Sequence, residues 1–450
     1  MPDDPRVLVI GGGTAGLACA RTLARGGMSV MVAEPDRLGG TCLWRGCMPK
    51  KGLYQAAATH RMVRAAETFG TVTGDVTLDW PGVLAWKWHA QETYAGDQEG
   101  ILGDLGITLL RDPAHFVAPN RIAVGDRVLG PEYVVIATGA APLGLSVPGG
   151  PLADSSDEAL RYSTLPHSLV IVGSGFIALE FAGIFASFGT DVTVLSRTGG
   201  FLETFDPDCV AIVLAALAEL GVRLVTHASV TSLSGTPGSL KVTYADSNDA
   251  ERTLECERVL AAIGRTPALE SLDLGLAEIE LDMRGRPVLD SSLRTTNRTI
   301  FVIGDAAGGP QHTPIASLHG RTIAASMLGS HTLEPDTRAI PVACFTVPQL
   351  AQSGPTEAQA IAAGLAFSVH SATYEYLGAA IVADTRHGLV KLLAREGSDE
   401  IIGAHIAGEG ASDLIYPLAL AIRLGAKLDD VRHSIAIHPA FSEVVNWSAS

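Results

Sequence analysis

With 450 residues, the chain is long enough for roughly two to four domains, each with its own core. Hydrophobic residues make up 47% and charged residues 18%, and the net charge of −16 excludes binding to nucleic acid or anionic lipid through a general basic surface. Six cysteines in a chain of this length do not make a secreted disulfide framework.

"MPDDPRVLVIGGG" enters a strand and a glycine turn almost at once, with no signal-peptide pattern, so a cytoplasmic protein is expected. From Arg6, "RVLVIGGGTAGLACARTLARGGMSVMVAEP" predicts a β-branched strand, a glycine turn, an amphipathic helix and a second strand. Gly11, Gly13 and Gly16 form a dinucleotide fingerprint, which seats a pyrophosphate on a helix N-terminus. Glu34 ends the second strand, where a carboxylate accepts hydrogen bonds from an adenosine ribose. "GGTCLWRGCMPKK" (39–51) then places Cys42 and Cys47 with four residues between them. Taken alone, the two are either neighbouring structural thiols or a redox pair. In "WPGVLAWKWHAQETY" (80–94), Trp86, Trp88 and Tyr94 are expected to pack a helix, with a pocket lining as the alternative.

"YVVIATGAAP" (133–142) is a further strand running into a glycine turn. From Ser168 the strand–turn–helix–strand pattern repeats, with Gly173, Gly175 and Ala178 in the fingerprint places. The apolar run "LVIVGSGFIALEFAGIFASF" is nearly long enough to span a membrane, but it carries Glu180 and the fingerprint and reads as a buried strand and helix. No acid ends the second strand of this copy. Ser196 and Arg197 stand there instead, and an arginine suits a 2′-phosphate, favouring NADPH over NADH. "IFVIGDAAGG" (300–309) mirrors the 133–142 segment on the far side of the second copy, so the second nucleotide domain reads as inserted into the first. From about residue 336 the fingerprints stop and a third domain begins. Cys19, Cys209, Cys256 and Cys344 read as core, and none is spaced as a metal site.

GGGTAG, "GGTCLWRGCMPKK", "VGSGFIALE", "ATGA", "AAIGRTP", "FVIGDAAG", "FTVPQLAQSGPTEAQA" and "HPAFSE" occur in one order along nearly the whole chain. In this set the chain resembles the flavin-dependent pyridine nucleotide–disulfide oxidoreductases of class I, the glutathione reductase and dihydrolipoamide dehydrogenase family, with motifs nearest glutathione reductase. The resemblance implies an α/β fold with two Rossmann-like domains and a C-terminal α+β dimerisation domain. Its boundaries are an FAD-binding domain over 1–148 and 270–335, an NAD(P)H-binding domain over 149–269 and the dimerisation domain over 336–450. It further implies a homodimer acting on a small disulfide, with no membrane or nucleic-acid partner.

Within that resemblance, Gly40, Thr41, Thr138, Gly139 and Asp305 join the first fingerprint and Glu34 around FAD. Gly264 and Arg265 join Gly173, Gly175, Ala178, Ser196 and Arg197 around NADPH, with NADH possible. Cys42 becomes the thiol that attacks substrate and Cys47 the one against the flavin. Lys50 and Glu180 match an ion pair beside the flavin's reactive nitrogen. His438, oriented by Glu443, serves as acid–base across the dimer interface, and His433 is background. Thr14, Arg21 and Arg321 match substrate-facing positions of glutathione reductases.

The pair also has to meet the geometry of a disulfide. Its Cα atoms must lie roughly 4.4–6.8 Å apart, whereas five residues of regular helix rise about 7.5 Å. The segment must therefore bend, and Gly46 and Pro49 suit a turn entering a helix. A helix start and Lys50 would lower a nearby thiolate pKa. In this context Cys42 and Cys47 read as a disulfide that opens and closes.

The pattern also departs from the family. Gln98 stands where glutathione reductases place a tyrosine over the substrate, Glu203 where NADPH-dependent relatives carry a second arginine, and Phe176 where a tyrosine often shields the flavin. The alternatives are an NAD-linked dihydrolipoamide dehydrogenase-like enzyme, a mercuric reductase-like enzyme and a flavoprotein sensor. The ending "NWSAS" lacks the cysteine pair of mercuric reductases.

Overall fold

The computed structural model describes residues 4–329 and 338–450, so the boundary expected at 335/336 lies outside the described residues. These residues form two compact units, one from 4–52, 82–143 and 265–329, the other from 53–81, 144–264 and 338–450.

The chain opens with β1 (Val7–Ile10), α1 (Thr14–Arg25) and β2 (Val30–Ala33), and continues through α2 (Gly40–Trp44), α3 (Cys47–Arg64) and α4 (Trp80–Ala95) to β3 (Thr108–Leu110) and β4 (Tyr133–Ile136). Every residue of β1 and β2 is buried. That is the signature of a parallel sheet covered on both faces, and it explains why these strands read as unbroken apolar runs. β1 pairs in parallel with β2 and β4, and β2 with β3. Residues 53–81, expected within the FAD-binding domain, pack instead with the second unit. Trp80 donates its indole N–H to the Tyr162 carbonyl at 2.9 Å and packs its ring 5.6 Å from Phe188. Large rings bury much apolar area at one point, which outweighs proximity in sequence.

The second unit starts its own parallel sheet with β5 (Ser168–Val172), α5 (Phe176–Ser187), β6 (Asp191–Leu195), α6 (Pro207–Glu219), β7 (Arg223–Val225) and β8 (Arg258–Ala261), in the order β7-β6-β5-β8. α5 buries residues around most of its circumference, Glu180 among them. No described helix is long and apolar enough to cross a membrane.

The chain then returns to the first sheet. β9 (Ile300–Val302) pairs with β4 and completes the order β9-β4-β1-β2-β3. α7 (Thr313–Met327) packs on α1 so closely that a Cβ on Gly320 would fall 2.3 Å from the Ala15 carbonyl oxygen. The C-terminal part is antiparallel: β10 (Val342–Cys344), β11 (Leu350–Ser353), β12 (Phe367–Thr373), β13 (Leu389–Arg395) and β14 (Ile401–Ala407) run in the order β10-β11-β14-β13-β12. α8 (Ala411–Leu424) lies against β14, and α9 (Glu443–Ser448) closes the chain. The architecture is two Rossmann-like parallel sheets, the second inserted in the first, followed by an α+β C-terminal domain.

Within the second unit, buried Lys391 of β13 bonds Asp206 at 3.0 Å and Asp208 at 2.6 Å at the start of α6, and also pairs with Glu357. Burial alone would depress the Lys391 pKa, but the three carboxylates raise it. A buried ammonium with this many acceptors stays charged and ties the inserted sheet's helix to the C-terminal sheet.

Candidate functional site

The cysteine segment bends where its spacing requires. α2 stops at Trp44, Arg45 takes φ −137° and ψ 12°, and Cys47 opens α3 with Pro49 in its first turn. The first backbone bond of α3 runs from the Lys50 N–H to the Gly46 carbonyl at 3.1 Å. The break between short α2 and the longer α3 brings the Cys42 and Cys47 side chains into hydrogen-bond contact.

Two other helices begin at this pair. Thr14, first residue of α1, and Thr313, first residue of α7, both hydrogen-bond the Cys42 side chain, and Thr313 Oγ1 lies 3.2 Å from Cys47 Sγ. The bond with Cys47 raises the Cys42 pKa, as does burial, while the two threonine hydroxyls lower it. The expected depression by a helix start is therefore not what Cys42 experiences: it lies inside α2, and Cys47 takes the first position of α3.

Sequence reasoning missed the residues behind the bend. α4 points Lys87, Gln91 and Ala95 inward, with Gln91 only 1% exposed, and leaves Trp86 50% and Trp88 41% exposed. The expectation that Trp86, Trp88 and Tyr94 pack the helix is thus overturned; Trp80 does the packing. Gln91 Nε2 donates to the Leu43 carbonyl at 2.8 Å, taking up an end carbonyl of α2 that the break orphans. Lys87 lies along Gly52 of α3. The available signal was polar residues at i and i+4 on a helix whose other face is aromatic.

The first fingerprint fits a dinucleotide. A Cβ on Gly16 would fall 1.9 Å from the Gly11 carbonyl oxygen, so only glycine lets α1 start this close to the turn. Gly13 caps α1 with no side-chain bond to its first N–H groups, which leaves them for an anion. Glu34 accepts the Gly12 N–H at 2.7 Å and the Asp36 N–H at 2.9 Å, and its two oxygens keep lone pairs for hydroxyl donors. Gly40 backs onto Gly13, where a Cβ would come within 2.8 Å of its Cα, and Thr41 follows in α2. Thr138 has a buried hydroxyl without a partner, next to Gly139 at φ 74°. Burial raises the Asp305 carboxyl above its ordinary range, with Arg265 acting the other way. Arg265 donates to the Ala140 carbonyl at 2.5 Å in the first unit, where its charge acts on Asp305.

The second fingerprint is built alike. A Cβ on Gly173 would meet the Ala262 carbonyl oxygen at 2.2 Å, Gly175 caps α5 with open space around it, and Ala178 is buried. Gly264 takes φ 124°. Arg197 is exposed at the end of β6. Ser196 is fully buried, and its hydroxyl donates to the Gly200 carbonyl at 2.8 Å, shaping the loop that carries Arg197.

Arg21, two turns along α1 from Thr14, donates to Gln98 Oε1 at 2.5 Å, and Gln98 Nε2 donates in turn to the Ala95 carbonyl at 2.6 Å. Among the described residues no carboxylate pairs with Arg21, and its neighbour Arg25 adds positive charge. Arg321 lies two turns along α7 from Thr313, exposed and donating to Ser317. In the second unit, Glu180 Oε1 accepts the Phe345 N–H at 2.7 Å. His438 is exposed, with Nδ1 2.9 Å from Glu443 Oε1, while Glu443 Oε2 accepts the Ala440 N–H. The histidine bond holds the Glu443 pKa below its usual range. Nε2 of His438 therefore faces outward on a ring of set orientation. His433 Nδ1 lies 3.0 Å from its own helix's Asp429 carbonyl, as a bystander would.

The chain matches the pyridine nucleotide-disulphide oxidoreductase family over residues 5–320 and that family's dimerisation domain over 340–449. It is 34% identical to a dihydrolipoyl dehydrogenase of Staphylococcus aureus, over the whole chain and 96% of that protein. A dihydrolipoyl dehydrogenase of Halobacterium salinarum is 33% identical over 98% of this chain and 95% of its own. The structure of the HOCl-induced flavoprotein disulfide reductase RclA from Escherichia coli superposes with a TM-score of 0.89 at 28% identity, covering 99% of each chain. The chain thus belongs to the pyridine nucleotide-disulphide oxidoreductases, flavoprotein oxidoreductases built on Rossmann folds.

Proposed function

We propose that the protein is an NADPH-dependent reductase of small disulfides, passing electrons through FAD and a Cys42–Cys47 disulfide to an anionic low-molecular-weight disulfide such as glutathione disulfide. The observation that carries this reading is the cysteine bend, where two hydroxyls from the starts of α1 and α7 meet Cys42 beside a glycine cradle.

FAD, held by the first fingerprint's Gly11, Gly13 and Gly16 and by Glu34, would supply two-electron chemistry to the Cys42–Cys47 disulfide. Thr14 and Thr313 donate to the Cys42 sulfur as it ionises. The Cys42 thiolate attacks one sulfur of the substrate, forming a mixed disulfide and releasing one substrate thiolate. The partner subunit's His438, aligned by Glu443, protonates that leaving group. Cys47, once deprotonated, attacks the Cys42 sulfur, releases the second substrate thiol and restores the disulfide. A homodimer is part of this reading, and the match of residues 340–449 to a dimerisation domain supports it. Lys50 and Glu180 keep the roles at the flavin that the family likeness gives them.

Arg21 and Arg25, without a carboxylate partner for Arg21, favour a substrate bearing carboxylates over neutral lipoamide. Exposed Arg197 favours NADPH. A second reading, an NAD-linked dihydrolipoamide dehydrogenase, has its support in the names of the relatives and in Glu203, whose carboxylate stands on the same loop as Arg197. Anaerobic oxidation of NADPH by glutathione disulfide, run beside NADH and lipoamide, separates them. A saturable NADPH-selective rate with glutathione disulfide is expected; turnover of lipoamide with NADH alone would replace the first reading by the second.

A further inference from the structure

A 2′-phosphate brings about two negative charges at neutral pH, and on the loop after β6 a single arginine, Arg197, is opposed by Glu203. Glu203 folds back over Gly200, its Oε1 3.2 Å from where a Cβ would stand. The structure brings a second basic group to this loop from the adjoining strand. The chain leaving β7 is laced to it: the Thr198 carbonyl accepts the His227 N–H at 3.0 Å and the Ser196 carbonyl accepts the Ala228 N–H at 2.8 Å. His227 itself sits at φ 51°, a left-handed conformation uncommon for a side chain of this size. Its exposed imidazole lies over Gly199, where a Cβ would come within 3.1 Å of Nε2. Gly199 is thus what allows the ring to lie on the loop two residues from Arg197, and the left-handed backbone is what turns it there.

We infer that His227 is a specificity-determining residue of the second nucleotide site, binding the adenosine 2′-phosphate of NADPH together with Arg197; this rests on the NADPH reading above. The imidazole donates Nε2–H to a phosphate oxygen, a hydrogen bond strengthened by the charge of the dianion. Glu203, on the other glycine of the loop, limits how tightly the phosphate is held and keeps NADH a possible donor.

The test is calorimetric titration of the full-length flavoprotein with adenosine 2′,5′-bisphosphate and, separately, with 5′-AMP. His227→Asn removes the imidazole donor while suiting the left-handed backbone, which alanine would strain. It should weaken the bisphosphate about tenfold and leave 5′-AMP unchanged. His227→Arg should retain the preference. If the unmodified protein prefers the bisphosphate and His227→Asn keeps that preference in full, the assignment to His227 is wrong and the NADPH reading stands. Equal loss of both ligands would make the residue a loop support and also overturn the assignment. If the unmodified protein binds both ligands alike, the NADPH reading falls, and His227 with it.

Discussion

Cys42 is held as a thiol by its bond to Cys47 and by burial, while Thr14 and Thr313 favour its ionised form, so its reactivity is set by three side chains from three separated stretches of sequence. Cys42→Ser should lower disulfide turnover at least about a thousandfold and leave NADPH-dependent bleaching of the flavoprotein intact in stopped flow. Retention of disulfide turnover would contradict the proposed role. Cys19 makes a different, structural prediction. Burial pushes its thiol from 9.0 up to about 12, so the unfolded chain loses this proton before the native one does. Stability from this group is full below pH 9.0 and is lost as pH rises toward 12. Thermal midpoints between pH 8 and pH 10.5 should fall, and fall less steeply in Cys19→Ala; parallel slopes would refute the attribution. At this scale the sequence names Cys42, Cys47, His438 and Glu443 through its resemblance to the family's motifs. It does not show that Ser196 turns inward or that Arg265 stands by Asp305, because those orientations depend on neighbours far along the chain.

The elements divide the same way. α1 and α5 were legible because a strand, a glycine turn and an amphipathic helix are local patterns. α4 was not, because its polar face is the buried one and serves the end of α2. Gln91→Leu should leave the Leu43 carbonyl buried without its donor, a cost of about 1–3 kcal/mol. Gln91 is a positioning residue on this account, and loosening the bend should favour the open dithiol. The midpoint potential of the Cys42–Cys47 couple should then rise by roughly 20–60 mV in dithiothreitol redox buffers. A lower melting temperature with an unmoved potential would reduce Gln91 to a packing role.

At the scale of the molecule, α8 carries Tyr416 67%, Leu420 45% and Leu424 75% exposed at i, i+4 and i+8, an apolar stripe facing out from the C-terminal domain. Placing aspartates at Tyr416 and Leu420 should split the proposed homodimer in analytical ultracentrifugation. Disulfide turnover should fall with it, about a hundredfold or more, because each cysteine pair loses a proton donor from the other subunit. NADPH-dependent bleaching should persist, and a fully active monomer would exclude the cross-subunit role of His438. The sequence by itself determined the family, the two nucleotide fingerprints and the cysteine pair, since each is a short run whose residue types meet a backbone or chemical requirement on the spot. Only the tertiary structure decided that residues 53–81 join the second unit, that Gln91 holds the bend and that His227 lies on Gly199. Those outcomes come from contacts between segments tens of residues apart, where packing and the need to satisfy buried polar groups choose the partner and leave no local pattern to read.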